Sequence, residues 1–358
     1  MNGSGVARGQ GPEEDAPLRE ALNKVVAGAI LSDTEARDAF EAIMDGRASP
    51  TRLAALLVAL RMRGETVGEI AAFARVMRER ATRVRTDHSI VVDTCGTGGD
   101  GSGTFNISTL AAFVVAASGV AVAKHGNRAV SGRCGSADLL QGLGIRIDQP
   151  VEMIEKTLRE IRFGFLYAPG LHRSVRHAAA VRRELGVRTV FNLLGPLANP
   201  AGARRQLLGV YDSNWVEPVA RVLKELGSER AMVVHGQGLD EIALHGETRV
   251  AQIDGPEVWT STLTPESAGL PRARLDDLLG GDVGDNVAIA REVLGGGGGP
   301  RRDVVLLNAG AALLVAGKAR ALREGVAIAA AAIDSGAALG VVERLRDLCP
   351  SQGTVEVT

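Results

Sequence analysis

The apolar residues change their period once, near Ser89. From Leu18 to about Arg85 they recur three or four apart: Leu18, Leu22, Val25 and Val26, then Ala39, Phe40 and Ile43, then Leu53, Leu56, Leu57 and Leu60. That spacing predicts about four amphipathic helices. Ser32 with Glu35 three residues on forms a capping box, and Ser49-Pro50 sets a hydroxyl cap before a proline at the first helical position. Beyond Ser89 the pattern becomes short buried runs, at 90–92, 120–123, 163–167, 207–211, 231–234 and 250–253, with helical stretches between most of them. Such alternation predicts an α/β unit with a mainly parallel central sheet. The expected division is a disordered tail over 1–16, a helical domain over 17–88 that some later helices join, and an α/β domain over 89–348. A helical piece over 286–294 and five consecutive glycines precede a helix expected near Arg302, and the glycines read as a mobile loop.

Composition narrows the function. Against 41 basic residues stand 42 acidic ones, so no global field recruits nucleic acid or an anionic membrane. Three scattered cysteines, Cys95, Cys134 and Cys349, make neither a disulfide framework nor a zinc cluster, and a cytoplasmic setting is expected. The N-terminus has no apolar h-region, and the alanine-rich runs are broken by charge before they could span a bilayer, so neither secretion nor insertion is expected. Glycine is abundant, at 45 residues, without a Gly-X-Y period or a low-complexity tract, which points to close backbone approaches. No repeat at a fixed period suggests a solenoid.

Four segments carry chemistry. The densest is the run from Asp93 to Thr109, DTCGTGGDGSGTFNIST, between a buried strand and a helix. Successive unencumbered N–H groups, with the positive end of a helix opening near Ser108, suit a phosphate or pyrophosphate. No Gly-Lys-Ser/Thr closes the loop and its glycines do not match the dinucleotide fingerprint, which disfavours nucleoside triphosphates and NAD. The second segment runs from Lys124 to Asp138, again after a strand and before a helix. Lys124, Arg128, Ser131 and Ser136 suit a polyanion, while His125 alone reads as a structural histidine and Cys134 as a packing residue. Third, Asp240 and Glu241 follow the strand at 231–234, either as magnesium ligands beside a polyphosphate or as an ordinary acidic pair. Fourth, the segment 181–200 combines a basic helix end with a tight Gly-Pro turn at Gly195-Pro196. Arg182 or Arg183 there serves a second substrate's carboxylate or is helix-surface charge.

In this order the four segments resemble the anthranilate phosphoribosyltransferase family, of the type III nucleoside phosphorylase and phosphoribosyltransferase fold. The resemblance runs from about residue 18 to about 345 and takes in the stretch from Gly280 to Asn308. It implies a small helical domain hinged to a larger α/β domain, an active site in the cleft and a homodimer formed through the helical domain. The implied reaction moves the phosphoribosyl group of phosphoribosyl pyrophosphate to the amine of anthranilate, the second step of tryptophan synthesis from chorismate. Carried over residue by residue, the donor meets Gly96, Gly99, Asp100, Thr104, Asn106, Thr109, Lys124 and Ser136, with Ile107, His125, Gly126, Arg128, Ser131 and Gly132 beside them. Ser108, Asp240 and Glu241 match the family's ligands for two Mg2+ ions per monomer, and anthranilate would meet Gly96, Asn127 and Arg182. No residue is assigned as general acid or base. The sequence departs from the family pattern at Arg173, Ala180 and Ala243, on the acceptor side. Rival readings are another small aromatic acceptor, a nucleoside phosphorylase, whose Lys-His-Ser segment is missing here, and a nucleic-acid-binding paralogue.

Overall fold

The computed structural model describes residues 15–129 and 133–351. Two compact units emerge, one running to Ala81 and taking in His172–Leu194, the other made of Thr82–Leu171 and the chain from Gly195 onward.

The first unit is helical, with helices over Ala16–Val26, Asp33–Met44, Pro50–Arg63 and Val67–Glu79 and a later one over Arg176–Leu185. The caps are those the sequence writes. Ser32 and Glu35 form a reciprocal capping box, Ser49 accepts from Arg52 N–H, and a second box joins Thr66 and Glu69. Leu18, Phe40, Leu53, Leu57, Leu60, Ile70 and Phe73 are buried at 2% exposure or less, each worth about 1.5–3 kcal/mol of transfer free energy. Phe40 stacks on Phe73 at 4.9 Å and lies against Phe191 at 5.4 Å. The expected tail ends earlier than residue 16. Asp15 is buried and its carboxylate accepts from Arg52 at 2.7 Å, which ties the first helix down; residues 1–14 lie outside the described residues.

The second unit holds a seven-stranded sheet: β1 (Val91–Gly96), β2 (Ala121–Gly126), β3 (Phe163–Tyr167), β4 (Arg205–Gly209), β5 (Arg230–His235), β6 (Thr248–Asp254) and β7 (Val258–Leu263). The order is β3-β2-β1-β4-β5-β6-β7, parallel from β3 to β5 and antiparallel at β6 and β7. On one face the helices Ile107–Ala117 and Pro300–Ala316 pack together in the main core. There Phe113 stacks on Phe163 at 4.5 Å. On the other face a smaller core gathers Val91, Ala121, Ala123, Ile154, Leu158 and Leu166. Among the described residues no single helix is long and apolar enough to cross a membrane.

Three expectations change. Residues 82–88 leave the helical domain, because Thr82 N–H donates to Leu171 O at 2.8 Å and Val84 N–H to Pro200 O at 3.2 Å within the α/β unit. Gly195-Pro196 is no tight turn: both lie inside the short helix Phe191–Leu197, whose end is tied by Gln206 Nε2 donating to Pro196 O at 2.7 Å. A seventh strand, β7, pairs with β6 although its residues 259–262 are exposed, so no apolar alternation announces it.

Candidate active site

Topology places the site. Beyond β1 the chain builds β2 and β3 on one side and then returns to lay β4 on the other, so the C-terminal ends of β1 and β4 form a topological switch point. Gly96 and Gly209, partners in the β1–β4 register, end these strands. Asp240, past the end of β5, lies across both. A Cβ on Gly96 would stand 2.3 Å from Asp240 Oδ2, and one on Gly209 only 1.5 Å from Asp240 O. Two glycines here are therefore a spatial requirement for seating a carboxylate over the strand ends.

From Gly96 the chain makes the glycine loop, in which Gly98, Gly99, Gly101 and Gly103 all have positive φ, between 68° and 77°. Its amides are not all bare, as the sequence suggested. Gly98 N–H donates to Asp240 Oδ2 at 2.7 Å, and Ser108 N–H, at the start of the helix Ile107–Ala117, donates to Glu241 Oε1 at 3.0 Å. Asp100 accepts from Ser102 N–H at 3.0 Å and, through its other oxygen, from Asp240 N–H at 3.1 Å. The amides suited to an anion thus already hold carboxylate oxygens, which shows that anionic oxygen fits there.

Three carboxylates so close together repel. Burial, reinforced by the Asp100 charge, raises the Asp240 carboxyl to about 7. Burial and then Asp240 raise Glu241 to about 8. This donor set suits a hard divalent cation, which would relieve the repulsion. Among the described residues no group of three or more His, Cys, Asp or Glu makes a ready metal cage. That is compatible with Mg2+, which takes one or two carboxylates and completes its octahedron with substrate oxygens and water.

Lys124 sits beneath the loop. It is buried at 2% exposure, and its Nζ donates to Thr94 O at 2.5 Å and Ser108 Oγ at 3.2 Å. Burial lowers its pKa while the neighbouring Asp93, Cys95 and Glu241 hold it up. Its ammonium supports the loop from below, whereas the sequence reading set it with Arg128, Ser131 and Ser136 as a group suited to a polyanion. Asn106 donates from Nδ2 to Cys134 O at 3.2 Å and to Asn286 Oδ1 at 3.1 Å, linking the first loop to the second. Thr104 bridges to Leu279 and half-buries its hydroxyl beside Ser102. Ile107 and Thr109 are core residues at 1% and 0% exposure.

On the second segment His125 is buried, with Nδ1 3.0 Å from Gly195 O, in keeping with a structural histidine. A Cβ on Gly126 would meet Ser136 Oγ at 2.4 Å, so Ser136 lies against the end of β2. Asn127 O accepts from Ser136 Oγ and Ala137 N–H, and the Asn127 side chain is exposed. Arg128 is committed to the next helix through Asp138 at 2.6 Å and Gln141 at 2.7 Å. Ser131 and Gly132 lie outside the described residues. In the helical unit Arg182 is half-buried over the Phe191 ring, 4.8 Å from its centroid, and burial lowers its pKa. Arg173 and Ala180 are exposed, and Ala243 is fully buried.

The sequence reading passed over a set of buried amides. Asn308 Oδ1 accepts from Ile242 N–H at 2.9 Å and its Nδ2 donates to Ile242 O at 3.1 Å, clamping the residue after Glu241. Asn286 accepts from Asn106 N–H at 3.2 Å, and Asn199 and Gln206 reach Asp93. A lone amide within an apolar helical stripe, as at Asn308, is the signal that could have found them.

A helical unit and an α/β unit whose sheet ends in a glycine loop and a carboxylate cluster are the two parts that the glycosyl transferase family combines. Residues 88–339 match the model described as glycosyl transferase family, a/b domain, and residues 19–81 match its helical bundle domain. The chain is 56% identical over 329 residues to the anthranilate phosphoribosyltransferase of Moorella thermoacetica, covering 92% of this chain and 97% of the relative. The solved anthranilate phosphoribosyltransferase of Thermus thermophilus is 50% identical with a TM-score of 0.88, over 92% of this chain and 98% of that one. The Saccharomyces cerevisiae enzyme, solved in complex with PRPP and Mg, is 29% identical with a TM-score of 0.85, over 93% and 98%. This chain belongs to the anthranilate phosphoribosyltransferase family.

Proposed function

We propose that this protein transfers the 5-phosphoribosyl group from phosphoribosyl pyrophosphate to the amine of anthranilate, giving N-(5-phosphoribosyl)anthranilate and pyrophosphate, a step of tryptophan synthesis. The observation that carries this reading is the seating of Asp240 over Gly96 and Gly209, with Asp100 and Glu241 beside it, at the mouth of the glycine loop. Resemblance to relatives sharing more than half their residues over nearly their whole length supports the choice of anthranilate as acceptor.

The amine nitrogen forms a bond to the anomeric carbon as the bond from that carbon to the diphosphate oxygen breaks. Charge therefore builds on the leaving diphosphate while the ribose gains oxocarbenium character. Fixed N–H dipoles of the loop 96–104 oppose that charge, while Gly98 N–H and Ser108 N–H hold Asp240 and Glu241 in place. Two Mg2+ ions held by Ser108, Asp240 and Glu241 would supply further neutralisation of the diphosphate. Lys124 contributes its positive charge from beneath the loop and fixes Ser108. For the acceptor, the family resemblance assigns Gly96 and Asn127 to anthranilate and Arg182 to its carboxylate. The proton lost by the new secondary amine passes to the acceptor's own ortho carboxylate or to water, so no protein base is required.

The protein acts as a homodimer. Val26, Ile30 and Met62 of the helical unit, exposed at 71%, 63% and 83%, supply an apolar surface for it. Three free cysteines favour a reducing, cytoplasmic setting. The test is loss of anthranilate fluorescence on adding phosphoribosyl pyrophosphate, with and without Mg2+. The reading requires turnover that depends on both, and its collapse in the double variant Asp240→Asn, Glu241→Gln. Turnover unchanged in that variant overturns the metal assignment, and no turnover by the wild type overturns the reaction.

A further inference from the structure

β1 and β2 share a ladder only at Val91↔Ala121 and Val92↔Val122, although β1 continues beside β4 to Gly96 and β2 continues beside β3 to Gly126. Past that point, side chains take the backbone groups between the two strands. Asp93 Oδ1 accepts from His125 N–H at 3.1 Å, and Lys124 Nζ takes Thr94 O. Asn199 Nδ2 donates both to Asp93 Oδ2 at 2.7 Å and to Ala123 O at 2.9 Å. Buried backbone groups must be paired, so these side chains stand in for the missing rungs.

We propose that Asp93 and Asn199 are a positioning pair that sets the spacing between the glycine loop after β1 and the Lys124–Gly126 end of β2, and through it the seat of the sugar donor. Neither residue faces a substrate: Asp93 is fully buried and Asn199 is 6% exposed. The polarity of the pair is fixed. Asn199 Oδ1 is held by Ala201 N–H at 2.9 Å, so both amide hydrogens point at Asp93 and Ala123, and only an acceptor satisfies them at position 93. An asparagine at 93 would set amide against amide. Flipping Asn199 to relieve that would strip the donor from Ala123 O and the acceptor from Ala201 N–H. Gln206 does not replace the pair, since its Nε2 is 3.5 Å from Asp93 Oδ2 and is spent on Pro196 O.

This inference rests on the proposed transfer, and its test separates the two. Steady-state kinetics of wild type, Asp93→Asn and Asn199→Ser are measured against each substrate. Hydrogen exchange is followed in the peptides covering 93–96 and 123–127. Asn199→Ser keeps the Asp93 carboxyl in place to accept from His125 N–H, so it carries the test if Asp93→Asn does not fold. The expected result is a loss of about tenfold or more in kcat/KM for phosphoribosyl pyrophosphate, a smaller change in the anthranilate KM, and faster exchange confined to those two peptides. Folded variants with wild-type kcat/KM for the donor overturn the proposal. A wild type without turnover sinks the transfer alone, and the exchange data then decide: local loosening supports the pair, and wild-type or uniformly faster exchange overturns it.

Discussion

Gly209→Ala adds one methyl group and tests the strand-end architecture at its tightest point. The new Cβ would stand 1.5 Å from Asp240 O, 2.3 Å from its carbonyl carbon and 3.1 Å from its Cα, all backbone, so no rotamer change relieves it. Real Cβ contacts essentially never fall below 3.0 Å, so the segment carrying Asp240 and Glu241 must move by about 1.5 Å at least. A misplacement of about 1 Å in positioning groups costs about 100-fold in rate, which is about 2.7 kcal/mol at 1.36 kcal/mol per decade. Turnover should therefore fall by about 100-fold or more, with a raised Mg2+ requirement. Overpacking costs about 1–3 kcal/mol of stability, so thermal melting should still report a folded protein. Gly340→Ala, on a helix with nothing within 4 Å, serves as the control. Gly209→Ala with activity within about threefold of wild type would show that Asp240 has no need of its present seat.

Other perturbations reach different parts of the molecule. Glu69, at 1% exposure, accepts from Leu31 N–H, Thr66 and Arg63, and although burial pushes its carboxyl up, the Arg63 guanidinium and these N–H groups hold it below the ordinary value. A depressed pKa means stabilisation fully present above the ordinary glutamate value and lost as pH falls through the folded one. Glu69→Gln should thus cost about 3 kcal/mol at neutral pH, and denaturant curves at falling pH should show that gap close below about pH 4.5. A gap that stays constant with pH removes Glu69 as its source. Asn308→Ala strips both partners from Ile242 and should cost about 2–4 kcal/mol in melting experiments while lowering turnover; full activity would show that the clamp does not place Glu241. Arg182→Ala should raise the KM for anthranilate by about tenfold or more and leave that for phosphoribosyl pyrophosphate unchanged, and the reverse split would remove Arg182 from the acceptor side.

What the sequence discloses and what it hides follow from where the information lies. The change of period near Ser89, the caps at Ser32 and Ser49 and six of the seven strands are local: one buried face gives a helix its period, and burial on both faces gives a strand its short apolar run. The glycine loop and the Asp240-Glu241 pair are legible because few other chemistries need such residues at strand ends. β7 is hidden because its solvent-facing side chains carry no alternation, and its place beside β6 is set by backbone pairing that no short window shows. The membership of His172–Leu194 in the helical unit is a long-range matter that no window of sequence contains. Lys124 was legible as a charge but not as a buried one, since only the packed strand ends put its Nζ on Thr94 O. The amides Asn199, Gln206, Asn286 and Asn308 work through partners distant in sequence, so their residue type alone announces nothing.

The most direct measurement is a crystal structure of the protein grown with phosphoribosyl pyrophosphate and Mg2+. The diphosphate should lie within hydrogen-bonding distance of backbone N–H groups between Gly98 and Thr104, with the cation at Asp240 and Glu241. A donor seated instead at the N-terminal ends of β1 to β3, in the pocket lined by His88, Arg162 and Lys318, with the glycine loop bare, would contradict the account.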